Sequence, residues 1–140
     1  MLVLALLLGA CTKGASSAPE NGVQAVIYKS PSCGCCVGYA GALKDAGYAV
    51  DIRLTEDMDA IKQRYQIPVG MQSCHTTVIG DKVIEGHMPL DVVEEIVAQD
   101  AVKKVALPNM PAGTPGMPGI KQGPWTIYAL DNGTQVYKTI

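Results

Sequence analysis

Apolar and polar positions follow two rhythms along the middle of the chain. Residues 23–28 form a short apolar run rich in β-branched side chains, which predicts a buried strand. Lys29-Ser30-Pro31-Ser32 breaks that run as a loop. Between Cys36 and Ala46, Ala40 and Leu43 share one helical face and Gly47 follows as a stop, so a helix is predicted there. Residues 48–54 predict a second strand. Thr55 is the expected N-cap of a second helix. Glu56 and Asp57 fall in its first turn, where the helix dipole favours anions, and Met58, Ile61 and Tyr65 form its apolar stripe. Residues 76–79 and 82–85 predict two strands joined by a hairpin at Gly80-Asp81. After Pro89, Asp91 and Glu94 have capping-box spacing, and Val93, Ile96 and Val97 make a third helical stripe.

The predicted order over residues 23–99 is β-α-β-α-β-β-α, an α/β fold of the thioredoxin-like kind. Two parallel strands with a helical crossover are followed by a hairpin and a packing helix. Residues 107–124 differ in character. They contain Pro108, Pro111, Pro115, Pro118 and Pro124 with glycines between them, which excludes a helix or a central strand and favours extended, polyproline-like backbone. Residues 125–137 then show a hairpin signature, two strand-like runs around Asn132-Gly133, expected to pack on the core or extend its sheet.

The N-terminus is set apart. Met1 to Ala10 is almost wholly apolar but far shorter than the roughly twenty residues that span a bilayer. It reads as a signal peptide over residues 1–10. Leu8-Gly9-Ala10-Cys11 resembles the bacterial lipobox, which makes Cys11 the expected lipidation site and residues 11–22 a polar tether. Residues 23–140 are then the folded domain. The expected location is the bacterial cell envelope, facing the periplasm and lipid-anchored to a membrane, where disulfides form.

Composition sharpens this picture at two points. The 140 residues carry 11 Lys+Arg and 13 Asp+Glu, a formal charge of -2, so no basic excess points to nucleic acid. The chain has no Phe and one Trp but five Cys and six Met. With Cys11 spent on lipid, Cys33, Cys35, Cys36 and Cys74 remain, an even number open to disulfides or to a metal.

Cys33-Gly34-Cys35-Cys36 stands directly after the first strand, where the first helix begins. Cys33 and Cys36 have C-x-x-C spacing, and Cys35 adds a third thiol that dithiol exchange does not require. In the expected fold the third strand runs antiparallel to the first. Its start, Cys74-His75, therefore lies beside the end of the first strand, and the fourth strand returns to the same end with Gly86-His87-Met88. Four thiols and both histidines then converge on one edge. Such soft ligands favour Cu(I), with zinc as the competitor. Adjacent Cys35 and Cys36 suit a bridged cluster better than one tetrahedral ion. The metal ligands expected are Cys33, Cys35, Cys36, Cys74, His75, His87 and Met88. Plainer roles stand beside these. Cys33 and Cys36 fit a disulfide staple, Cys74 a small buried hydrophobe, and His75 and His87 polar anchors at strand ends. Met88, Met110 and Met117 fit packing, Asp91 and Glu94 helix caps, and Tyr39 a lid of packing over the sulfurs.

The string Lys29-Ser30-Pro31-Ser32-Cys33-Gly34-Cys35-Cys36 resembles the signature of the CopG-like exported metal-binding family, associated with copper resistance. Ser73-Cys74-His75-Thr76, residues 83–89 and residues 108–117 resemble its other blocks in the same order. The resemblance implies a thioredoxin-like fold and copper handling in the envelope, with Cys33, Cys35, Cys36 and Cys74 as ligands and His75 and His87 as weaker candidates. The family usually places Trp where Tyr39 stands here. Two functions follow as expectations. The first is capture of Cu(I), with copper redox chemistry and periplasmic copper-handling proteins as partners. The second is a thiol-disulfide oxidoreductase in which Cys33 attacks and Cys36 resolves.

Overall fold

A computed structural model describes residues 22–140, so the predicted signal peptide, Cys11 and nearly all of the tether lie outside the described residues. The chain forms β1 (Gln24–Lys29), α1 (Cys35–Asp45), β2 (Ala49–Leu54), α2 (Met58–Arg64), β3 (His75–Ile79), β4 (Lys82–Glu85), α3 (Leu90–Val97), β5 (Lys104–Ala106), β6 (Thr126–Ala129) and β7 (Gln135–Thr139). A single turn of 3-10 helix, Val69–Met71, lies between α2 and β3. Residues 24–97 thus follow the predicted β-α-β-α-β-β-α order. No helix among the described residues is long and apolar enough to cross a membrane.

One mixed sheet runs in the order β2-β1-β3-β4-β5-β6-β7. β1 and β2 are parallel, as a helical crossover requires, and β3 is antiparallel to β1 with Lys29 opposite His75. β4 pairs antiparallel with β3 through the Gly80 turn, where φ is +59°. β5 was absent from the predicted elements. It lies parallel to β4 and carries the C-terminal hairpin, so the hairpin extends the sheet through β5. The Asp131 carboxylate anchors that extension by accepting from the backbone N–H groups of Lys103 and Lys104.

Strand alternation sorts the side chains into two layers. Ile27, Ile84 and Val105 face α1 and α3, packing with Tyr39, Leu43, Val92, Val93 and Ile96 in the main core. Val83 and Ala106 face the other way, with Ile67, Tyr65, Met71 and Leu130. The two predicted caps did not form. Asp57, not Thr55, caps α2 by accepting from Ala60 N–H at 2.9 Å, while Thr55 Oγ1 accepts from Asp57 N–H in the bend before the helix. Pro89 occupies the cap of α3 and has no side-chain acceptor, so Asp91 and Glu94 form no capping box. In α2 the buried residue is Lys62, while Met58, Ile61 and Tyr65 are only half-buried.

Candidate metal centre

The β1–β3 register brings the end of β1 beside the start of β3, and the β3–β4 turn returns the chain to the same end. Three segments meet there. Cys33 to Cys36 lead into α1, Cys74 and His75 open β3, and His87 follows β4. Cys35 and Cys36 are the first residues of α1.

Cys33 and Cys36 are joined as a disulfide across 5.6 Å between Cα atoms, an ordinary span for such a bond. The expectation that both serve as thiolate ligands therefore does not describe this state, and the staple reading does. C-x-x-C spacing at a helix start admits either form. Cys35 and Cys74 are free. The four sulfurs form a chain: Cys35 Sγ lies 3.5 Å from Cys33 Sγ, and Cys74 Sγ lies 3.6 Å from Cys36 Sγ.

The imidazoles extend that chain. Cys74 Sγ is 3.1 Å from His87 Nε2 and 3.3 Å from His75 Nδ1. The rings of His75 and His87 stand edge to face at 4.7 Å, and Tyr39 packs against both at 4.6 and 5.6 Å. Tyr39 thus provides the packing expected of it. Ligand atoms of Cys33, Cys35, Cys36 and Cys74 lie within 4.8 Å of one another, as do those of Cys36, Cys74, His75 and His87. Met88 belongs to the apolar core cluster, which is the packing role for that residue. Met110 is exposed and Met117 half-buried on the proline-rich segment.

That segment supplies a residue the sequence reasoning did not single out. His87 Nδ1 is 2.7 Å from the carbonyl oxygen of Pro115. A carbonyl only accepts, so Nδ1 carries the proton and Nε2 presents its lone pair to the sulfur site. A backbone carbonyl fixing a ring in this way is the common outer partner of a metal-ligating histidine. Next to it, Gly116 (φ +83°) packs its backbone on α1. A Cβ at that position would lie 2.5 Å from Tyr39 N and 2.7 Å from Cys35 O. The Pro-Gly pairing was the available signal, since a close approach at positive φ needs glycine.

Burial tunes the donors. It pushes the Cys74 thiol up to about 12, with the neighbouring Cys35 adding to the effect. It drives His75 well below its usual value, with the charges of His87 and Lys62 adding to the effect, and lowers His87 against the Pro115 carbonyl. Both imidazoles are thus neutral and ligand-ready at neutral pH. Among the described residues, Tyr39 Oη, His75 Nε2 and Thr77 Oγ1 are the buried side-chain polar atoms without a partner. The His75 nitrogen that faces Cys74 Sγ is Nδ1, so the unpaired Nε2 is a separate buried polar atom whose lack of a partner is costly.

An α/β domain that gathers sulfur and imidazole donors from three segments at one end of its sheet is, by class, a metal-binding protein. Residues 71–117 match a family described as "Protein of unknown function, DUF411". A solved structure described as "Copper resistance protein copG- Form 2" is similar with a TM-score of 0.78 and 31% identity. The match covers 84% of this chain and 98% of that one. A second, "Copper resistance protein copG- Form 1", is similar with a TM-score of 0.77 and 30% identity, covering 84% and 97%. The chain belongs to this CopG-like copper-resistance family. No curated protein matches it in sequence.

Proposed function

We propose that the protein captures copper as Cu(I) where the ends of β1, β3 and β4 meet, on a thioredoxin-like core, with the metal as cargo. Cys35, Cys74, His75 and His87 offer donors in the state described, and Cys33 and Cys36 add two more when their disulfide is reduced. The observation that carries this reading is the gathering of four sulfurs and two imidazoles from three separate segments into two overlapping groups of ligand atoms. Sulfur and imidazole together favour Cu(I), and sulfurs in a chain suit a thiolate-bridged cluster over a single zinc. The similarity to two structures described as copper resistance proteins supports copper over zinc.

The disulfide gives the same centre a two-electron couple. Two thiols closing to the disulfide release two electrons and two protons, and those electrons would reduce two Cu(II) to the Cu(I) that the soft donors hold. The Leu8-Gly9-Ala10-Cys11 run supports a lipid-anchored location on the periplasmic side of the envelope. The copper would there be passed between this chain and other periplasmic copper-handling proteins.

The test is a titration of the reduced full chain with Cu(I) against a competing chelator, with metal counted per chain by native mass spectrometry. Several coppers per chain, reduced in Cys35→Ser and in Cys74→Ser, are expected. No copper uptake at chelator-buffered concentrations would overturn the reading. The Cys33–Cys36 disulfide at a helix start favours one second reading, a thiol-disulfide oxidoreductase. Rapid reduction of insulin disulfides that survives both Cys35→Ser and Cys74→Ser would select it.

A further inference from the structure

Behind the metal-site layer, on the opposite face of the sheet, lies a polar cluster that copper capture does not use. Glu85 is fully buried and Lys62 is 3% exposed. Lys62 Nζ donates to Glu85 Oε1 at 2.5 Å and to Thr76 Oγ1 at 3.0 Å. Thr76 Oγ1 donates to Glu85 Oε2 at 2.7 Å. The fourth member is backbone: the N–H of Ser73 donates to Glu85 Oε1 at 2.6 Å.

The placement of these groups is specific. Ser73 precedes Cys74, Thr76 follows His75, and Glu85 stands two residues before His87. The cluster thus holds the two stretches that carry Cys74-His75 and His87, from the far side of the sheet. Ser73 is also held on its other flank, where its hydroxyl donates to the Asn109 carbonyl of the proline-rich segment. Gly86 sits between these attachments at φ +85°, where a Cβ would lie 2.5 Å from Leu107 O and 2.9 Å from Ser73 Cβ. The Ser73–Cys74 backbone has no regular ladder partner before His75, so these bonds are what set its path.

A buried ion pair is a poor source of stability, because removing two charges from water offsets their attraction; apolar replacements of similar size are often neutral or stabilising. A pair retained at this position is better explained by what it orients. We infer that Lys62 and Glu85 are positioning residues for the metal centre, clamping the Ser73 N–H so that Cys74 Sγ faces Cys36 and His87. Lys62 aims the carboxylate through its hydrogen bond to Oε1. Glu85 spends both oxygens on the two sides of the Cys74-His75 step. This rests on the copper-capture reading for its purpose, but the geometry it asserts concerns Cys74 alone and is testable without metal.

The experiment uses the full chain as Glu85→Gln and as the paired replacement Lys62→Met with Glu85→Leu. The second keeps the volume apolar and guards against a fold lost through an unpaired charge. Alkylation of the metal-free protein is followed by peptide mass spectrometry at Cys74, with Cys35 in the same molecule as internal control. Cu(I) affinity of the reduced protein is measured by chelator competition, and melting temperature by circular dichroism. Expected are faster alkylation at Cys74 with Cys35 unchanged, and copper affinity lower by about 10–100-fold, the range for losing an outer-shell partner. Both should appear in the paired variant even where its melting temperature is native. Native alkylation and native affinity in a folded variant would overturn the inference, as would equal acceleration at Cys35 and Cys74, which marks general loosening. If the unaltered chain takes up no copper, the copper reading fails, and the alkylation comparison still decides the positioning role.

Discussion

Cys74 Sγ lies 3.1 Å from His87 Nε2, and the opposite nitrogen of that ring is held at 2.7 Å by the Pro115 carbonyl. The two contacts together orient one lone pair toward the sulfurs before any metal arrives. An oriented ligand loses less freedom on binding, which raises affinity without adding contacts.

His87→Ala is therefore expected to lower Cu(I) affinity of the reduced protein by about 10-fold or more, within the range for perturbing a ligand or its support. Met88→Leu is the companion variant. Met88 is fully buried in the core cluster, so a volume-conserving exchange should cost less than about 1.5 kcal/mol and leave affinity unchanged. Chelator competition and thermal melts on the two variants check both. A loss of copper in Met88→Leu at native stability would restore Met88 as a ligand.

The metal-free, disulfide-closed protein should have a stability plateau bounded by its own site residues. His75 and His87 titrate below their ordinary value of 6.5 in the fold, chiefly through burial. The unfolded chain therefore takes up more protons as pH falls through 6.5, and stability drops on that side. Cys74 behaves in the opposite sense: folded, its thiol keeps its proton to about 12, while unfolded it loses it near 9. Stability then falls as pH rises above 9. Melting temperature against pH should be flat between about 6.5 and 9 and decline on both sides. In Cys74→Ala the decline between pH 9 and 10 should vanish. The remainder above 10 belongs to the tyrosines whose phenols are also raised, Tyr39, Tyr48 and Tyr65 chiefly by burial and Tyr137 chiefly by its hydrogen bond to Glu95.

How much of this was legible in the sequence depended on the length of each signal. β1 to β4 and the helices had runs long enough for a period of two or 3.6 to show, and their order alone implied the meeting of Cys33 to Cys36 with Cys74, His75 and His87. β5 spans only Lys104–Ala106 and runs straight into the proline-rich segment, too short for any period to register. Lys62 lies on the buried side of α2, but a lysine in a helix reads as solvated, and its partner Glu85 is 23 residues away. The Asp91–Glu94 spacing misled because a capping box needs an acceptor side chain at the cap, and Pro89 has none. The disulfide was one of two states that C-x-x-C spacing allows, and sequence carries no redox potential.

Gly116 and Gly133 offer a controlled comparison. Both have φ of +83°, so alanine is strained at either position. At Gly133 a Cβ meets nothing within 4 Å, and at Gly116 it meets the backbone of α1. Gly133→Ala should cost about 1 kcal/mol from backbone strain alone. Gly116→Ala should cost about 1–3 kcal/mol, since the segment must also lift from α1. Lifting it draws the Pro115 carbonyl away from His87. Copper affinity should therefore fall in Gly116→Ala and hold in Gly133→Ala. Equal affinities in the two variants would show that the proline-rich segment does not orient His87.

The chain of sulfurs makes a further prediction about pairing. Cys36 is bonded to Cys33, yet its sulfur also lies 3.6 Å from Cys74 Sγ. In Cys33→Ser the Cys36 thiol loses its partner and keeps a second thiol within contact. Oxidation should then join Cys36 to Cys74, with two electrons and two protons passing to the oxidant. Cys35 is less favoured as the new partner, since it is adjacent in sequence to Cys36 and its sulfur packs toward position 33 instead. Peptide mapping of oxidised Cys33→Ser without reduction would identify the bond. The same variant should bind Cu(I) poorly once oxidised, because closing Cys36 onto Cys74 removes both sulfurs that the two groups of ligand atoms share. Recovery of binding on treatment with a reductant would complete the expected pattern. A free Cys36 thiol after full oxidation, or a bond from Cys36 to Cys35, would mean that the 3.6 Å approach to Cys74 does not persist once the native disulfide is gone.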